Sequence, residues 1–350
     1  MMLTRLHLKN LTVFAEADFR YATGLNVIVG ENGTGKSHVL KAAYMVASVM
    51  GRGAKESELP SPTKAYLETA LANKLRGVYR PERIGRLARR HIGVNRCEIA
   101  VEFQQPANNL SFSFHTKSAT EVTVKTVPSK WVGLPPAYLP TRELLTIYPG
   151  FVALYDEKVL PFEETWRDTC QLLGGLLPRG RRSGETDDLL RPLEEALGGK
   201  VVLENEKFYV ASSSGKLEVH LVAEGLRKLA MLAQLVVTGA LVGKSSLFWD
   251  EPEANLNPKI IKRVARTILQ LSRSGIQVFV ATHSLFLLRE LDISLKTAEF
   301  RDVPSRFFGL HPGDTGVHVE QGDSIDTIGN IDALDEELSQ SDRYLAVEAE

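Results

Sequence analysis

The chain has 350 residues, and 42 Lys+Arg against 43 Asp+Glu leave a formal charge of −1, with 43% hydrophobic and 24% charged residues. This is the composition of an ordinary globular protein of about two domains; it excludes disorder of the whole chain and a uniformly basic nucleic-acid coat, while local patches stay open. Two cysteines, Cys97 and Cys170, are too few and too distant for a disulfide framework or a zinc cage and fit a reducing compartment.

In chain order, Leu3 to Leu8 and Phe14 to Phe19 alternate as half-buried strands, and the N-terminus lacks the apolar core of a leader segment. Leu25 to Val29 is a nearly continuous apolar run, the mark of a buried central strand, followed by a Gly-rich turn and a helix over Ser37 to Met50. Residues 51–96 change in character, with Pro60 and Pro62, a helix near Lys64 to Leu75 and a basic stretch through Arg96. Glu98 to Phe103, Leu110 to His115 and Glu121 to Val127 alternate between turn signals and predict a small antiparallel sheet. Ala137 to Glu143 reads as strand and loop, Leu144 to Leu173 as mostly helix, Pro178 to Asp188 as an exposed loop and 201–221 as three short strands. A long amphipathic helix follows over Gly225 to Val242; the apolar-rich run between Lys228 and Lys244 spans 15 residues, where a membrane span needs ~20. A strand Ser246 to Trp249, a helix Lys259 to Ser272, a strand Val278 to Ala281, two short strands and an acidic tail complete the chain. No membrane span and a cytoplasmic location are expected.

Gly30-Glu31-Asn32-Gly33-Thr34-Gly35-Lys36-Ser37 matches G-x-x-x-x-G-K-[ST] between a buried-type strand and a helix that continues with His38. Glycines let the backbone turn tightly against phosphate oxygens, Lys36 supplies a cation to the β- and γ-phosphates, and Ser37 offers a hydroxyl to Mg²⁺. The helix aims its positive end at the same anion. The nucleotide-binding set is thus Asn32, Gly33, Thr34, Gly35, Lys36, Ser37 and His38.

An apolar strand ending in adjacent carboxylates occurs at Leu247-Phe248-Trp249-Asp250-Glu251-Pro252-Glu253. Asp250 at the strand's end would position Mg²⁺, and Glu251 would orient or deprotonate a water; a plain surface turn is the alternative. Thirty-three residues past Asp250, Val278 to Ala281 runs into Thr282-His283-Ser284, placing a histidine at a second strand end where it can bond a γ-phosphate and a water. A lone histidine is otherwise an ordinary surface or core residue.

Taken in order, G-E-N-G-T-G-K-S, F-W-D-E-P-E-A-N-L-N-P and A-T-H-S resemble the Walker A, Walker B plus D-loop, and His-switch of ABC-type P-loop ATPase heads. The D-E-P-E-A-N-L-N-P form is similar to the soluble RecF- and SMC-like heads and to the ATPases of the OLD nuclease group and related phage-defence systems. The resemblance covers roughly 1–50 and 137–290. It implies an α/β P-loop NTPase head with a mixed sheet and leaves 51–136, read as an inserted α+β and helical region with a basic segment and a small antiparallel sheet, and 291–350, read as C-terminal strands and an acidic tail, unassigned. It further implies ATP and Mg²⁺ as ligands, Lys36, Glu251 and His283 as catalytic residues, and Ser37 and Asp250 around the metal. A homodimer or higher oligomer closed over the ATP sites would have Asn255 to Asn257 at its interface.

Two departures stand out. Where such heads carry a signature beginning L-S-G-G, this chain has Val222-Ala223-Glu224-Gly225, so that Ala223, Glu224 and Gly225 would meet the partner's nucleotide without a serine hydroxyl; an ordinary helix start at Glu224 is the other reading. The Q-loop glutamine is not evident in Leu139 to Glu143. Lys74, Arg76, Arg80, Arg83, Arg86, Arg89, Arg90 and Arg96 form a basic stretch in which Arg83, Arg86 and Arg90 would share a helix face, suited to duplex phosphates or equally a solvated surface; Arg179, Arg181 and Arg182 form a second patch. Only 67 residues follow His283, without metal-site spacing, so no nuclease is expected on the chain and any effector would be a separate protein. The expected process is DNA repair or anti-phage defence with double-stranded DNA as an open partner. The alternatives are an ATP-gated scaffold and, less favoured, a transporter ATPase.

Overall fold

Residues 2–90, 93–177, 184–241, 246–330 and 332–348 are described in a computed structural model. The elements in chain order begin with β1 Leu3–Leu11, β2 Phe14–Arg20, β3 Leu25–Gly30, α1 Lys36–Ser57, α2 Lys64–Tyr79, β4 Arg96–Phe103, β5 Leu110–His115, β6 Thr123–Thr126 and β7 Ala137–Leu139. They continue with α3 Phe151–Asp156, α4 Glu164–Leu173, α5 Gly184–Leu197, β8 Lys200–Glu204, β9 Lys207–Ser212, β10 Gly215–Glu218 and α6 Glu224–Val237. The last are β11 Ser246–Asp250, α7 Pro258–Arg273, β12 Gln277–Thr282, α8 Leu285–Leu295, β13 Ser305–His311, β14 His318–Gly322 and α9 Asp332–Glu348.

β3 is buried at every residue because it lies inside a six-stranded sheet of order β14-β13-β3-β12-β11-β7. Strands β13, β3, β12, β11 and β7 are parallel, and edge strand β14 runs antiparallel to β13. Alternation along these strands divides the core. Val27, Val29, Trp249 and Val280 face the layer holding Leu229 and Ile268, whereas Ile28, Phe248, Phe279 and Phe308 face the layer built on α1. Phe248 and Phe279 are register partners and stack with centroids 4.5 Å apart. A five-stranded antiparallel sheet, β2-β1-β4-β5-β6, shares the α1 side of the core, and β10-β9-β8 forms a small third sheet.

Several expectations differ from the structure. β13 pairs with β3, so the 291–350 segment set apart as C-terminal contributes two strands to the central sheet. β4 pairs with β1, so the predicted small sheet of 98–127 is continuous with the N-terminal hairpin rather than free-standing. α1 runs on to Ser57 because Gly53 lies against the Trp131 ring and Gly51 against Leu134 and Pro135, contacts that a side chain would obstruct. The segment Leu144 to Leu173 is helical only in α3 and α4, interrupted at Pro149-Gly150 and Pro161.

The basic stretch does not form one helix face. α2 ends at Tyr79, Arg80 takes φ +51° ahead of Pro81, and only a single 3₁₀ turn, Ile84–Leu87, follows. That segment is instead zipped to the β1–β2 turn, with Thr12 N–H donating to Leu87 O and Arg89 N–H to Asn10 O, each 2.8 Å. Its cations are largely engaged: Arg89 donates to Val13 O (2.6 Å), Arg80 to Phe162 O (2.6 Å), Arg83 to Lys117 O (3.2 Å) and Arg86 to Glu82 (3.1 Å). Arg179, Arg181 and Arg182 lie outside the described residues. Among the described residues no helix is long and apolar enough to cross a membrane.

Lys74 is buried in an ion cluster centred on Asp168 of α4. The Asp168 carboxylate accepts from Tyr44 (2.5 Å) and Lys74 (2.6 Å) and pairs with Arg52 (3.1 Å), tying α1, α2 and α4 together. Burial would raise the pKa of Asp168, but Lys74 and Arg52 overcome it and bring the carboxyl down to about 2. Its folded value lies below the ordinary 3.8, so its contribution to stability is complete above that pH and disappears as pH falls through about 2. Asp168→Ala leaves Lys74 and Arg52 buried without their counter-charge, and we expect a loss of ~3–5 kcal/mol in urea unfolding; an unchanged midpoint would show that the cluster holds nothing together.

Candidate functional site

The carboxyl ends of β3, β12, β11 and β7 share one edge of the parallel sheet, the edge at which such sheets present ligand-binding residues. At the end of β3 the chain turns through Gly33 (φ +86°) and Gly35 (φ +92°) into α1. Gly35 is needed twice over: its backbone is left-handed, and a Cβ there would stand 2.7 Å from Val13 Cγ2 and 2.8 Å from the Phe14 ring. Asn32 and Gly33 form the exposed tip, while buried Thr34 ties the loop to itself by donating from N–H (3.3 Å) and Oγ1 (2.8 Å) to Glu31 O. No side chain caps α1 and its first turn has no acidic residue, so its positive end opens into the loop without competition.

Lys36 reaches back along the loop, Nζ donating to Gly30 O (2.8 Å) and Glu31 O (2.9 Å). Burial lowers its pKa, and the carboxylates of Glu251, Asp250 and Glu253 oppose that shift. Ser37 Oγ donates to Asp250 Oδ1 (3.0 Å), joining the phosphate-loop helix to the end of β11 across the intervening strand β12. His38 stands beside this group rather than in it: its Nδ1 meets Thr12 Oγ1 (3.0 Å), and its ring packs against Tyr79.

Glu251 follows Asp250 with φ +46°, held by its N–H donating to Ala281 O (2.9 Å). His283 Nδ1, from the end of β12, donates to Glu251 Oε1 (3.1 Å). Glu253 is buried, accepts from Thr282 Oγ1 (2.5 Å), and has a second oxygen with no partner among the described residues. Burial pushes up the pKa values of both Asp250 and Glu253. The Ser37 hydroxyl and the Asp250 carboxylate are hard oxygen donors held together, a set that fits a magnesium-like cation. Ala223, Glu224 and Gly225 lie elsewhere, with Glu224 accepting from Asn255 Nδ2 (3.0 Å) and Gly225 packed on Leu256.

With this geometry in view, the similarities to known proteins fall into place. Residues 148–289, a stretch that does not include the phosphate loop, match the family described as "AAA domain, putative AbiEii toxin, Type IV TA system". A 52-residue stretch is 44% identical to the DNA replication and repair protein RecF of Shewanella woodyi, covering 15% of this chain and 14% of that protein. The fold is similar to an Smc head solved bound to the C-terminal winged-helix domain of ScpA, with TM-score 0.57 and 15% identity over 93% of this chain and 99% of that one. An Smc head with an extended coiled coil, bound to the C-terminal domain of ScpA from Pyrococcus furiosus, matches with TM-score 0.54 and 13% identity over all of both chains. The chain carries the α/β P-loop ATPase fold seen in these Smc heads.

Within this ATPase fold the structure adds residues that the motifs did not point to. Tyr138 of β7 donates to Asp250 Oδ2 (3.2 Å), so both carboxylate oxygens are held. Glu143 is buried, accepts from Leu145 N–H (2.9 Å) and Thr146 Oγ1 (2.9 Å), and pairs with Arg227 at 3.0 Å. Lys228, 1% exposed, extends from α6 to donate to Ala254 O (2.7 Å) and Glu251 O (3.4 Å). A lysine amid the apolar positions of a long helix was the available signal for Lys228; nothing in the local sequence marks Tyr138.

Burial lowers the Lys228 pKa to about 8, against the opposing charges of Glu253, Glu224 and Glu251. Because the unfolded chain holds this proton up to about 10.5, stability gains as pH rises from about 8 towards that value. Lys228→Met should remove this part of the slope when unfolding midpoints are compared at the two ends of that range; identical slopes in the two proteins would place Lys228 outside the buried network.

Proposed function

We propose that the chain binds Mg–ATP at the loop Gly30 to Ser37 and hydrolyses it, with two copies closing head to head over the nucleotides. The observation that carries this reading is the Ser37–Asp250 bond at 3.0 Å beside the Glu251–His283 pair at 3.1 Å, both at the carboxyl edge of one parallel sheet. Backbone N–H groups of Asn32 to Lys36 and the α1 terminus would hold the β- and γ-phosphates, and Lys36 would exchange its loop carbonyls for phosphate oxygens. Ser37 and Asp250 would hold the divalent cation, which when bound supplies charge to the β- and γ-phosphate oxygens. Glu251 orients and deprotonates the attacking water, and His283 holds Glu251 and the terminal phosphate in place. Asn255 to Asn257 and the helix end at Ala223 to Gly225 would face the second copy.

We assign the ATPase to a nucleic-acid-linked process, DNA repair or anti-phage defence, working with a separate effector protein. The likeness to RecF supports the first, although the matched stretch is a small part of that protein. A scaffold switched by ATP without DNA contact is the second reading. It is favoured by the engagement of Lys74, Arg80 and Arg89 in protein contacts and by the missing hydroxyl at Ala223.

Glu251→Gln is expected to keep ATP binding and lower turnover at least ~10²-fold, the scale of removing a catalytic base, whereas Lys36→Ala should abolish binding. Equal turnover in Glu251→Gln and the parent chain would remove Glu251 from the mechanism. ATP hydrolysis with and without double-stranded DNA at two salt concentrations separates the two readings. Stimulation that weakens with salt supports the nucleic-acid role, and indifference to DNA at both salts supports the scaffold.

A further inference from the structure

A cavity of about 340 Å³ opens beside the Asp250 end of β11, between β7 and the segment leading into α4. Asp250, Tyr138, Lys41, Glu163 and Trp166 line it together with Arg142. It contains two cations of unlike condition. Lys41 is neutralised by Glu163, Nζ to Oε1 at 2.5 Å, and is largely buried. Arg142 is exposed and has no hydrogen-bond or ion-pair partner among the described residues.

The loop bearing Arg142 is firmly held. Pro140 stands two residues before it, and the next residue, Glu143, is buried, accepts from Leu145 N–H and Thr146 Oγ1, and pairs with Arg227 of α6. An unpaired guanidinium presented from such a frame, into a cavity that it shares with a carboxylate bonded to Ser37, has the charge and the planar fork that phosphate oxygens take. It has donors only, so it complements an anion and not a cation.

We propose that Arg142 is a binding and catalytic residue for the terminal phosphoryl group of a nucleoside triphosphate held by the phosphate loop of the same chain. The proposal rests on the nucleotide reading of that loop and adds a source of discrimination between triphosphate and diphosphate. A diphosphate ends before Arg142 and gains nothing from it. A triphosphate meets it at the terminal oxygens, where charge builds as the bond to the leaving diphosphate breaks and the bond to the water oxygen forms.

The test is calorimetric titration of Mg–ATP and Mg–ADP into Glu251→Gln chain, which does not consume the ligand, with and without Arg142→Ala or Arg142→Lys. Loss of one charge-assisted contact predicts ATP affinity lower by about tenfold to a hundredfold in Arg142→Ala, an intermediate loss in Arg142→Lys, and unchanged ADP affinity, which also reports that the variant is folded. Turnover with Glu251 intact should fall ~10²–10³-fold in Arg142→Ala. An ATP-to-ADP affinity ratio unchanged within about twofold would overturn the assignment, as would equal loss of both nucleotides, which makes Arg142 structural. If Glu251→Gln chain with Arg142 intact binds neither nucleotide, the nucleotide reading of the loop fails and the assignment falls with it, an outcome distinct from the other two.

Discussion

The parallel register of β3, β12, β11 and β7 is the constraint on which the rest of the molecule depends. It brings Gly30, Thr282, Asp250 and Leu139 to one edge, so that Ser37 can bond to Asp250 and His283 to Glu251 although their positions in the chain are far apart. The sheet is buried on both faces, with Phe248 and Phe279 stacked on one side and Trp249 and Val280 packed on the other. A slip of one residue would exchange the two faces of a strand and carry Asp250 away from Ser37, so the core packing also sets the geometry of the site.

Two buried carboxylates show how the same residue type serves different ends. Asp168 meets Lys74 and Arg52 and is driven down to about 2 in spite of its burial. Asp250 meets a serine and a tyrosine, with Lys41 acting on it less directly, and burial leaves its pKa raised. The first is satisfied by its own protein and acts as a tie between helices. The second is hydrogen-bonded by neutral hydroxyls and has no cation in direct contact among the described residues, which suits it to the cation-binding role proposed for it. Glu253, with one oxygen bonded to Thr282 and the other without a partner among the described residues, likewise keeps a raised pKa.

Much of this was legible in the residues because the informative signals are local. Apolar strands that run into the Gly30–Ser37 loop, into Asp-Glu or into Thr-His mark both the strand and the end at which these residues gather, and 3.6-residue periodicity marks α6 and α7. What escaped depends on contacts distant in sequence. β13 and β14 look like any short hairpin, and only the open edge of β3 explains their place in the central sheet. The arginines of 76–96 look like a phosphate-binding face. Pro81 and the buried Ile84 and Leu87 instead fold that segment against the β1–β2 turn, and backbone carbonyls take up its guanidinium groups, Val13 that of Arg89, Phe162 that of Arg80 and Lys117 that of Arg83. Tyr138 has no local mark at all, because its role exists only once β7 lies beside β11.

The N-terminus of α6 shows how the site is made into one mechanical unit. Glu251 and Asn255 both hold left-handed backbones, φ +46° and +63°, conformations costly for residues with a side chain and maintained only where the surroundings dictate them. Those surroundings are α6 itself: Lys228 takes the carbonyls of Glu251 and Ala254, Glu224 takes the Asn255 amide, and Gly225 admits Leu256. From the same helix end, Arg227 reaches Glu143 in the loop that presents Arg142. A shift of α6 therefore cannot leave the Glu251 backbone or the 140–146 loop unchanged. Alanine at 223, where the proposed dimer reading expects a serine, leaves these internal ties intact. Communication between two opposed sites would then run through the position of the helix, with its backbone amides as the direct donors, and through the strained turn it holds at Glu251.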